Sequence, residues 1–229
     1  MKGLRLTELY PSIQGEGPNV GEPTVFVRFG GCNLRCPLWP CDTPHAIFPE
    51  QWRDDPVVKV EDLLKQIADM PGMNICITGG EPFMQPEVYL AALVGLLRDM
   101  QYTIDVFTNG SLKPFPSWVH DRAVTIILDW KLSGSGEASS GLEVRLNNFK
   151  ELERKDAVKF TIATEDDFQE ALALWNDMKG RTVASFYAGC VWGLYEEHTL
   201  VERILEFNLP WKLNVQVHKY VWPGVEKGI

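Results

Sequence analysis

Six short runs rich in β-branched and aromatic residues alternate with amphipathic segments, and this alternation constrains the fold more than any other feature of the chain. The runs predict strands at 24–29, 74–78, 103–108, 124–129, 158–163 and 182–187. The segments between them predict helices at 60–70, 86–100, 143–154, 165–178 and 197–208. Such alternation favours a parallel sheet with right-handed crossovers. Because 229 residues fall short of the roughly 250 of a closed eight-stranded barrel, we predict an α/β fold, an incomplete parallel β/α barrel of about six strands.

The length is consistent with one domain over residues 1–229. A proline-rich connection at 30–49 is predicted to be stiff and without regular elements. The string QVHKYVWPG lies in the C-terminal segment, residues 210–229, and is predicted to be extended like a strand. The one flexible-looking stretch is SGSGEASSG at 133–141, directly after a predicted strand, where parallel folds place their functional loops.

The charge balance excludes one class of partner. The chain has 22 Lys and Arg against 31 Asp and Glu, a formal net charge of −9. Proteins that bind nucleic acid usually show a basic excess, so no nucleic-acid partner is expected. No apolar run of 18 residues or more and no apolar signal core are present, so we expect a cytoplasmic protein that does not contact membranes.

Three of the five cysteines lie in the string GGCNLRCPLWPCDT. Cys32, Cys36 and Cys41 have the spacing C-x3-C-x4-C, which indicates a metal or redox site in a chain without an export signal. Three thiolates can hold three irons of a 4Fe–4S cluster and leave the fourth iron open to a small molecule. A structural zinc site with His45 as the fourth ligand is the alternative. The apolar surroundings of the other two cysteines predict core residues, Cys76 and Cys190.

A second motif, ITGGEP, occupies Ile77–Pro82 at the end of the second predicted strand. Its two glycines let the backbone approach a ligand closely, and Glu81 can accept a hydrogen bond from a cationic amine. Taken alone, the string also fits a simple turn before a helix. The motif therefore gains meaning only in combination with the cysteines.

Together the two motifs resemble the radical S-adenosylmethionine (SAM) superfamily, in which a three-cysteine loop follows the first strand and GGEP the second. The usual spacing there is C-x3-C-x2-C, and this chain has two extra residues in the second gap. The resemblance implies that the open iron chelates SAM and that reduction cleaves SAM to a 5′-deoxyadenosyl radical. The SAM contacts that it implies come from Gly79, Gly80, Glu81, Lys131 and Ser133.

A third string, SIQGEG, precedes the cysteine loop and offers groups suited to a flat heterocycle that carries a carboxylate. Gln14 can donate and accept hydrogen bonds, Glu16 accepts from N–H groups, and Arg28 can bind a carboxylate through two parallel hydrogen bonds. Read alone, SIQGEG is a turn-rich loop. With RFGGCNLRC and CDT, it resembles one family of the superfamily, 7-carboxy-7-deazaguanine synthase.

This narrower resemblance implies a lyase that converts 6-carboxy-5,6,7,8-tetrahydropterin to 7-carboxy-7-deazaguanine with loss of ammonia, a step toward queuosine-type 7-deazapurines. The implied cofactors are the 4Fe–4S cluster, SAM and Mg2+, with Thr43 as the Mg2+ ligand. The C-terminal string resembles the family's Q-x-H-K, which also places Gln216 and Lys219 near the substrate. The implied substrate contacts are Ile13, Gln14, Gly15, Glu16, Arg28, Thr78 and His218.

The resemblance also implies partners. They are the small-molecule pterin, an external one-electron donor of the flavodoxin or ferredoxin type, and a second copy of the chain in a homodimer. A glycyl-radical activase is the alternative enzyme, although SIQGEG and CDT have no role there. A non-catalytic zinc or iron–sulfur scaffold is the alternative from a different class. Whether the final deazapurine enters tRNA or DNA is left open by the sequence.

Overall fold

The computed structural model describes residues 2–225 and 227–228 of the chain. The strands are β1 (Leu4–Ile13), β2 (Pro23–Phe29), β3 (Val57–Val58), β4 (Asn74–Gly79), β5 (Thr103–Thr108), β6 (Val124–Trp130), β7 (Ala157–Ile162), β8 (Ser185–Cys190) and β9 (Lys212–Leu213). The helices are α1 (Pro44–Ile47), α2 (Pro49–Trp52), α3 (Val60–Ala68), α4 (Glu87–Asp99), α5 (Leu142–Lys150), α6 (Glu165–Met178), α7 (Glu197–Glu206) and α8 (Val217–Val221). Residues 226 and 229 of the 210–229 segment, and residue 1 of the predicted domain, lie outside the described residues.

All these strands belong to one open sheet with the order β3-β1-β2-β4-β5-β6-β7-β8-β9. β1 runs antiparallel to both of its neighbours, whereas every neighbouring pair from β2 to β9 is parallel. The sheet ends at two short strands, β3 and β9, which do not pair with each other. The predicted α/β class and incomplete parallel barrel are confirmed.

The six predicted strands correspond to β2 and to β4 through β8. β5 has the predicted bounds, whereas β8 begins at Ser185 instead of residue 182. Three strands at the sheet edges, β1, β3 and β9, were not predicted. β3 and β9 have two residues each, too few for a periodic signal. In β1, the string LRLTELYPSI is mostly half-buried and contains a proline, so apolar and polar residues do not alternate cleanly.

The helices pack on the sheet by burying one apolar stripe each. α4 buries Leu90, Leu93, Val94 and Leu97, the spacing that places side chains on one face of a helix. α6 coincides with its predicted bounds because Thr164 caps it, accepting a hydrogen bond from the backbone N–H of Asp167 at 3.1 Å. These helices cover the parallel strands, and the connections that follow the strands are left to form a site.

Two local predictions were wrong. The 30–49 connection contains helix α1 and the first residue of α2, because Pro44 and Pro49 each occupy a first helical position, where a missing N–H costs no hydrogen bond. The C-terminal string is not a strand, since it forms the single-turn helix α8. Val217 and Val221 stand four residues apart, a spacing that suits this turn as well as an extended chain.

Within the described part of the chain, no helix has the length and apolar character needed to span a membrane.

The carboxyl ends of the parallel strands meet at one edge of the sheet. There Arg28 of β2 pairs in register with Thr78 of β4, and Phe29 pairs with Gly79. The cysteine loop follows β2, and GGEP begins at the last residue of β4. The sheet therefore brings the two sequence motifs side by side, at the edge where parallel folds place their ligands.

Candidate active site

A cavity of about 500 Å3 opens at this edge of the sheet. It is lined by the loops that follow the parallel strands, by the end of β1 and by the C-terminal segment. Two predicted site residues, Glu81 and Ser133, are not among its lining residues. The predicted residues that line it are Ile13, Gln14, Gly15, Glu16, Arg28, Cys32, Cys36, Cys41, Thr43, Thr78, Gly79, Gly80, Lys131 and His218.

The three cysteines of the loop have free thiols, and all of them line the cavity. Burial raises the pKa of Cys32 to about 12 and also raises the pKa of Cys36. A thiol must lose its proton to bind a metal, so a bound cationic group would supply the charge that favours the thiolates. Three thiols without a fourth protein ligand suit a 4Fe–4S cluster that has one open iron.

The zinc alternative depended on His45 as a fourth ligand. The ring Nε2 of His45 lies 3.0 Å from Glu8 Oε2, and the side chain is buried. His45 is not among the cavity-lining residues. Its position therefore supports β1 and does not complete a four-ligand zinc site with the cysteines. Among the residues that the structure describes, no three His, Cys, Asp or Glu side chains are grouped to hold a single metal ion.

Lys131 brings a positive charge to the cysteine side of the cavity. Its Nζ donates a hydrogen bond to Asp129 Oδ2 at 2.8 Å and lies 5.5 Å from the ring centre of Trp39. Burial lowers the pKa of Lys131, but Asp129 and the nearby Cys36 raise it more, so the pKa lies above its ordinary value. Lys131 is thus a fixed cation beside the thiols. Trp39, in the long gap between the second and third cysteines, lines the cavity next to it.

The two glycines of GGEP lie against the start of the cysteine loop. Gly79 has a φ of +149°, and a Cβ there would collide with the backbone of Phe29. A Cβ on Gly80 would collide with the Gly31 carbonyl and would lie 2.8 Å from the Ala46 carbonyl oxygen. Only glycine therefore allows this approach, which leaves Gly79 and Gly80 at the cavity wall beside the cysteines.

The carboxylate of Glu81 is buried and turned toward the loop that follows β5. It accepts hydrogen bonds from the Thr108 hydroxyl at 2.8 Å, from the Asn109 N–H at 2.8 Å and from the Phe83 N–H at 3.1 Å. The structure therefore does not bring Glu81 to the cavity with the other predicted SAM contacts. Its observed role is to tie the GGEP loop to its neighbour.

Ser133 is the second predicted residue outside the cavity. It is exposed at the start of a short 3-10 turn, and its N–H donates to Glu170 Oε2 at 2.8 Å. The turn carries the chain away from Lys131 toward α6, so that of these two predicted residues only Lys131 lines the cavity.

On the other side of the cavity, Arg28 is held by two residues of β1. Its Nε donates to Glu8 Oε2 at 2.7 Å, and its Nη2 donates to the Tyr10 hydroxyl at 3.1 Å. Tyr10 in turn stacks on Phe26, with ring centres 5.2 Å apart. Antiparallel pairing of β1 with β2 sets these neighbours, so the unpredicted strand β1 determines how the guanidinium of Arg28 is presented.

Glu16 and Gln14 reach the same cavity from the loop after β1. Glu16 Oε2 accepts from Lys159 Nζ at 2.9 Å, and Glu16 Oε1 accepts from Asn214 Nδ2 at 2.9 Å. The Gln14 amide donates to Asp105 Oδ2 at 2.8 Å. Both side chains are therefore fixed by partners from distant parts of the chain before any ligand binds.

The C-terminal segment closes this side of the site. The Gln216 Nε2 donates to Asp42 Oδ2 at 2.7 Å, while its buried Oε1 has no hydrogen-bond partner in the described part of the chain. The Val217 N–H donates to the Gly15 carbonyl at 3.4 Å. A buried acceptor without a partner at a cavity wall suits a ligand that donates a hydrogen bond. Burial lowers the pKa of the neighbouring His218, so its imidazole stays neutral at neutral pH.

Thr43 and Thr78 bring hydroxyl groups to the cavity from two different elements. Thr43 precedes α1 and has its Oγ1 3.8 Å from Cys41 Sγ, whereas Thr78 lies on β4 next to Arg28 of β2. The CDT string thus places a hydroxyl at the cavity wall, directly beside the last cysteine.

Several residues of the site were missed by the sequence analysis. They are the partners of predicted residues, and Trp39 alone among them lies within a quoted motif, the cysteine string: Tyr10, Trp39, Asp105, Asp129, Lys159 and Asn214. Three of them could have been found from the sequence, because a charged residue within an apolar strand run suggests a buried polar contact. Asp105, Asp129 and Lys159 each lie in such a run. Cys76 and Cys190 are buried as predicted, and both also line the cavity.

Known proteins resemble the chain over nearly its full length. A 7-carboxy-7-deazaguanine synthase from Methanospirillum hungatei is 32% identical over 219 residues, covering 96% of this chain and 86% of the relative. Relatives of the same name from Leptospira interrogans (31% identical, 97% of this chain and 96% of the relative) and Clostridium acetobutylicum (28% identical, 98% and 99%) also match. No protein-family model matches the chain.

A solved structure supports the fold independently. The crystal structure of QueE from Escherichia coli superposes with a TM-score of 0.70 at 20% identity, covering 93% of each chain. The identity with the Methanospirillum relative exceeds 30% and extends over most of both chains, and the motifs on which the resemblance rested line one cavity. The chain belongs to the 7-carboxy-7-deazaguanine synthase family.

Proposed function

We propose that the protein is a radical SAM carbon–nitrogen lyase that converts 6-carboxy-5,6,7,8-tetrahydropterin to 7-carboxy-7-deazaguanine with loss of ammonia, in the biosynthesis of queuosine-type precursors. The observation that carries the proposal is the shared cavity. In a chain of this family, it joins three free thiols to an Arg–Glu–Gln set suited to a carboxylated heterocycle. A cavity of this size suits a small-molecule substrate, so the arrangement does not favour the alternative of an activase that acts on a protein partner.

The cysteine side of the cavity would hold the cofactors. We assign Cys32, Cys36 and Cys41 to a 4Fe–4S cluster and the backbone of Gly79 and Gly80 to SAM. When bound, the cluster and SAM supply the one-electron chemistry that removes a hydrogen atom from the substrate. Lys131 supports this assignment as a buried cation that would balance negative charge on the thiolates. Glu81 would act by holding the GGEP loop, and Ser133 remains a prediction from the resemblance alone.

The opposite side would hold the pterin. Arg28 would bind its carboxylate, with Glu8 and Tyr10 fixing the guanidinium in place. Glu16 would accept from the N–H groups of the heterocycle, as would the unpartnered Oε1 of Gln216. The remaining proposed contacts are Gln14, Thr78, His218 and the backbone of Ile13 and Gly15.

We also propose that Thr43 binds Mg2+ through its hydroxyl. Oxygen ligands suit this ion, and water and substrate oxygens would complete its coordination. Thr43 lines the cavity beside Cys41 together with the proposed pterin contacts, which supports a role in orienting the substrate carboxylate.

The remaining proposals concern the setting of the enzyme. We place it in the cytoplasm as a single domain, and we propose a one-electron donor of the flavodoxin or ferredoxin type as its reductant. A homodimer is supported by α8, where Tyr220 and Val221 are each more than half exposed. Such apolar surface beside the site would be covered by a second copy.

Two measurements test the proposal at each side of the cavity. After anaerobic reconstitution, the wild type should bind about four irons and show a brown 4Fe–4S absorption. Cys32→Ala should lose this cluster, whereas the control Cys190→Ala should keep it.

Arg28→Ala should weaken pterin binding by about tenfold or more, since a charged hydrogen-bonded pair is lost. Unchanged pterin affinity in Arg28→Ala would refute the carboxylate-binding role.

A further inference from the structure

A buried carboxylate, Asp105, lies beneath the cavity and is held by three amide groups. It is fully buried in β5. Its Oδ2 accepts from Gln14 Nε2 at 2.8 Å and from Asn74 Nδ2 at 3.1 Å, and its Oδ1 accepts from Asn19 Nδ2 at 2.8 Å. A carboxylate in such a place costs stability unless hydrogen bonds satisfy it, and here every described partner is a neutral donor.

The direction of these hydrogen bonds is set by a backbone carbonyl. The Glu22 carbonyl can only accept, so the Thr24 hydroxyl donates to it at 3.0 Å. Thr24 Oγ1 then accepts from Asn74 Nδ2 at 3.0 Å, while Thr103 donates to Asn74 Oδ1 at 2.9 Å. The nitrogen of Asn74 must therefore face Asp105, and Asp105 must accept.

The same reasoning extends to Gln14. Burial raises the pKa of Asp105, and the hydrogen bonds from Asn74, Gln14 and Asn19 oppose this rise by stabilising the carboxylate. As a carboxylate that already accepts from Asn74, Asp105 has no proton to donate, and it takes the nitrogen of the Gln14 amide. Gln14 is only 2% exposed, and it lines the cavity. With its nitrogen turned toward β5, its carbonyl oxygen is the group left to face the cavity.

We infer that Asp105 is a positioning residue that fixes the Gln14 amide with its oxygen toward the cavity, so that the site selects a substrate presenting an N–H group there. This inference rests on the proposed function, because the pterin ring and its amino group supply such N–H donors. A ligand with an acceptor at that place would meet the Gln14 oxygen and lose a hydrogen bond. Asp105 thereby contributes specificity without touching the substrate.

The substitution Asp105→Leu tests this role because it keeps a similar shape and removes the acceptor. Gln14 then has no acceptor to hold its nitrogen toward β5, and its amide should turn to present that nitrogen to the cavity, while Asn74 keeps its hydrogen bond to Thr24. KM for the pterin should rise about tenfold or more, as expected for an unsatisfied polar pair, while the dissociation constant for SAM stays at the wild-type value. A loss of stability alone would weaken the binding of both the pterin and SAM, and would not raise KM for the pterin selectively.

Asp156→Leu is the matched control. Asp156 is also a buried carboxylate, 2% exposed, and accepts from the N–H groups of Ile126 and Glu153 at 2.9 and 2.8 Å. It precedes β7, at the opposite end of the sheet from the cavity. The control should lower thermal stability and leave KM for the pterin unchanged.

A double variant provides the second test. In Gln14→Glu/Asp105→Leu, position 14 carries two carboxylate oxygens and no nitrogen, so that an oxygen faces the cavity whichever way the side chain turns. It should recover most of the pterin affinity lost in Asp105→Leu. If Asp105 only holds the loop together, the double variant will bind no better than the single one, and the inference fails.

A measurement without substrate separates this inference from the proposed function. Neutron diffraction from deuterium-exchanged crystals of the reconstituted protein should locate the amide deuterons of Gln14 on the atom that faces Asp105. If the wild type makes no product but the deuterons lie there, the proposed substrate is wrong and the positioning is right. Deuterons facing the cavity, or an unchanged KM in Asp105→Leu, would overturn the inference even if the wild type is active.

Discussion

Lys159 and Glu16 are 143 residues apart in the chain and form an ion pair at the cavity wall, with Nζ 2.9 Å from Oε2. Their side chains are 9% and 17% exposed, so water screens the pair only weakly. The Glu16 carboxylate is thus held for its proposed contact with the pterin by a residue that no motif identified.

Replacing Lys159 should weaken substrate binding. In Lys159→Met, Glu16 keeps Asn214 as a partner but loses its counter-ion, and the dissociation constant for the pterin should rise at least about tenfold. Calorimetric titration under anaerobic conditions measures this constant. Lys212→Met is the control, since Lys212 Nζ contacts the Tyr187 hydroxyl at 3.1 Å on the neighbouring strand and is exposed. Equal pterin affinities in Lys159→Met and Lys212→Met would show that the ion pair does not position Glu16 for pterin binding.

Adding one methyl group at Gly80 should disturb the cysteine loop. A Cβ there would collide with the Gly31 carbonyl and approach that of Ala46, so Gly80→Ala should displace the start of the loop and lower the iron content after reconstitution. Gly95→Ala is the matched change, because nothing lies within 4 Å of a Cβ in that position of α4. It should stabilise the protein by about 0.5–1 kcal/mol, as alanine favours helix. A full complement of iron in Gly80→Ala would contradict the close approach of the two loops.

The Mg2+ proposal predicts a difference between two substitutions of Thr43. Thr43→Ser keeps the hydroxyl and should retain the stimulation of product formation by Mg2+. Thr43→Val keeps the shape and should lose that stimulation, with SAM cleavage preserved. Titration of Mg2+ into both variants measures the effect. Stimulation of Thr43→Val to the wild-type level would assign the ion to other ligands.

Acid should weaken pterin binding through His218. Burial, with a smaller contribution from Lys219, lowers the pKa of His218 although Glu16 opposes this, so the imidazole is neutral at and above its ordinary pKa of about 6.5. As the pH falls through the lowered pKa, the ring gains a proton and loses its acceptor nitrogen. The unfolded chain takes up this proton first, so stability also declines below pH of about 6.5.

The pterin dissociation constant should therefore stay level between pH 8 and about 6.5 and rise below that range. His218→Gln, which does not titrate, should remove the acid-dependent rise. An unchanged pH profile in His218→Gln would mean that another group controls binding.

The sequence predicted the parallel part of the fold because apolar runs such as those of β5 and β6 are buried on both faces. It also predicted most of the cavity, because cysteine spacing, GGEP and SIQGEG are local strings whose positions follow from the strand order. It could not show that Glu81 turns toward Asn109, since that direction depends on where the loop after β5 lies. The partners Lys159 and Asp105 were missed for the same reason, because their contacts join residues far apart in the chain.

The most direct test of the central claim is turnover. The reconstituted protein is reduced anaerobically with SAM, Mg2+ and 6-carboxy-5,6,7,8-tetrahydropterin, and products are identified by mass spectrometry. We predict 7-carboxy-7-deazaguanine and ammonia, with SAM needed only in catalytic amount. A brown protein that cleaves SAM and leaves the pterin unchanged would contradict the proposed substrate.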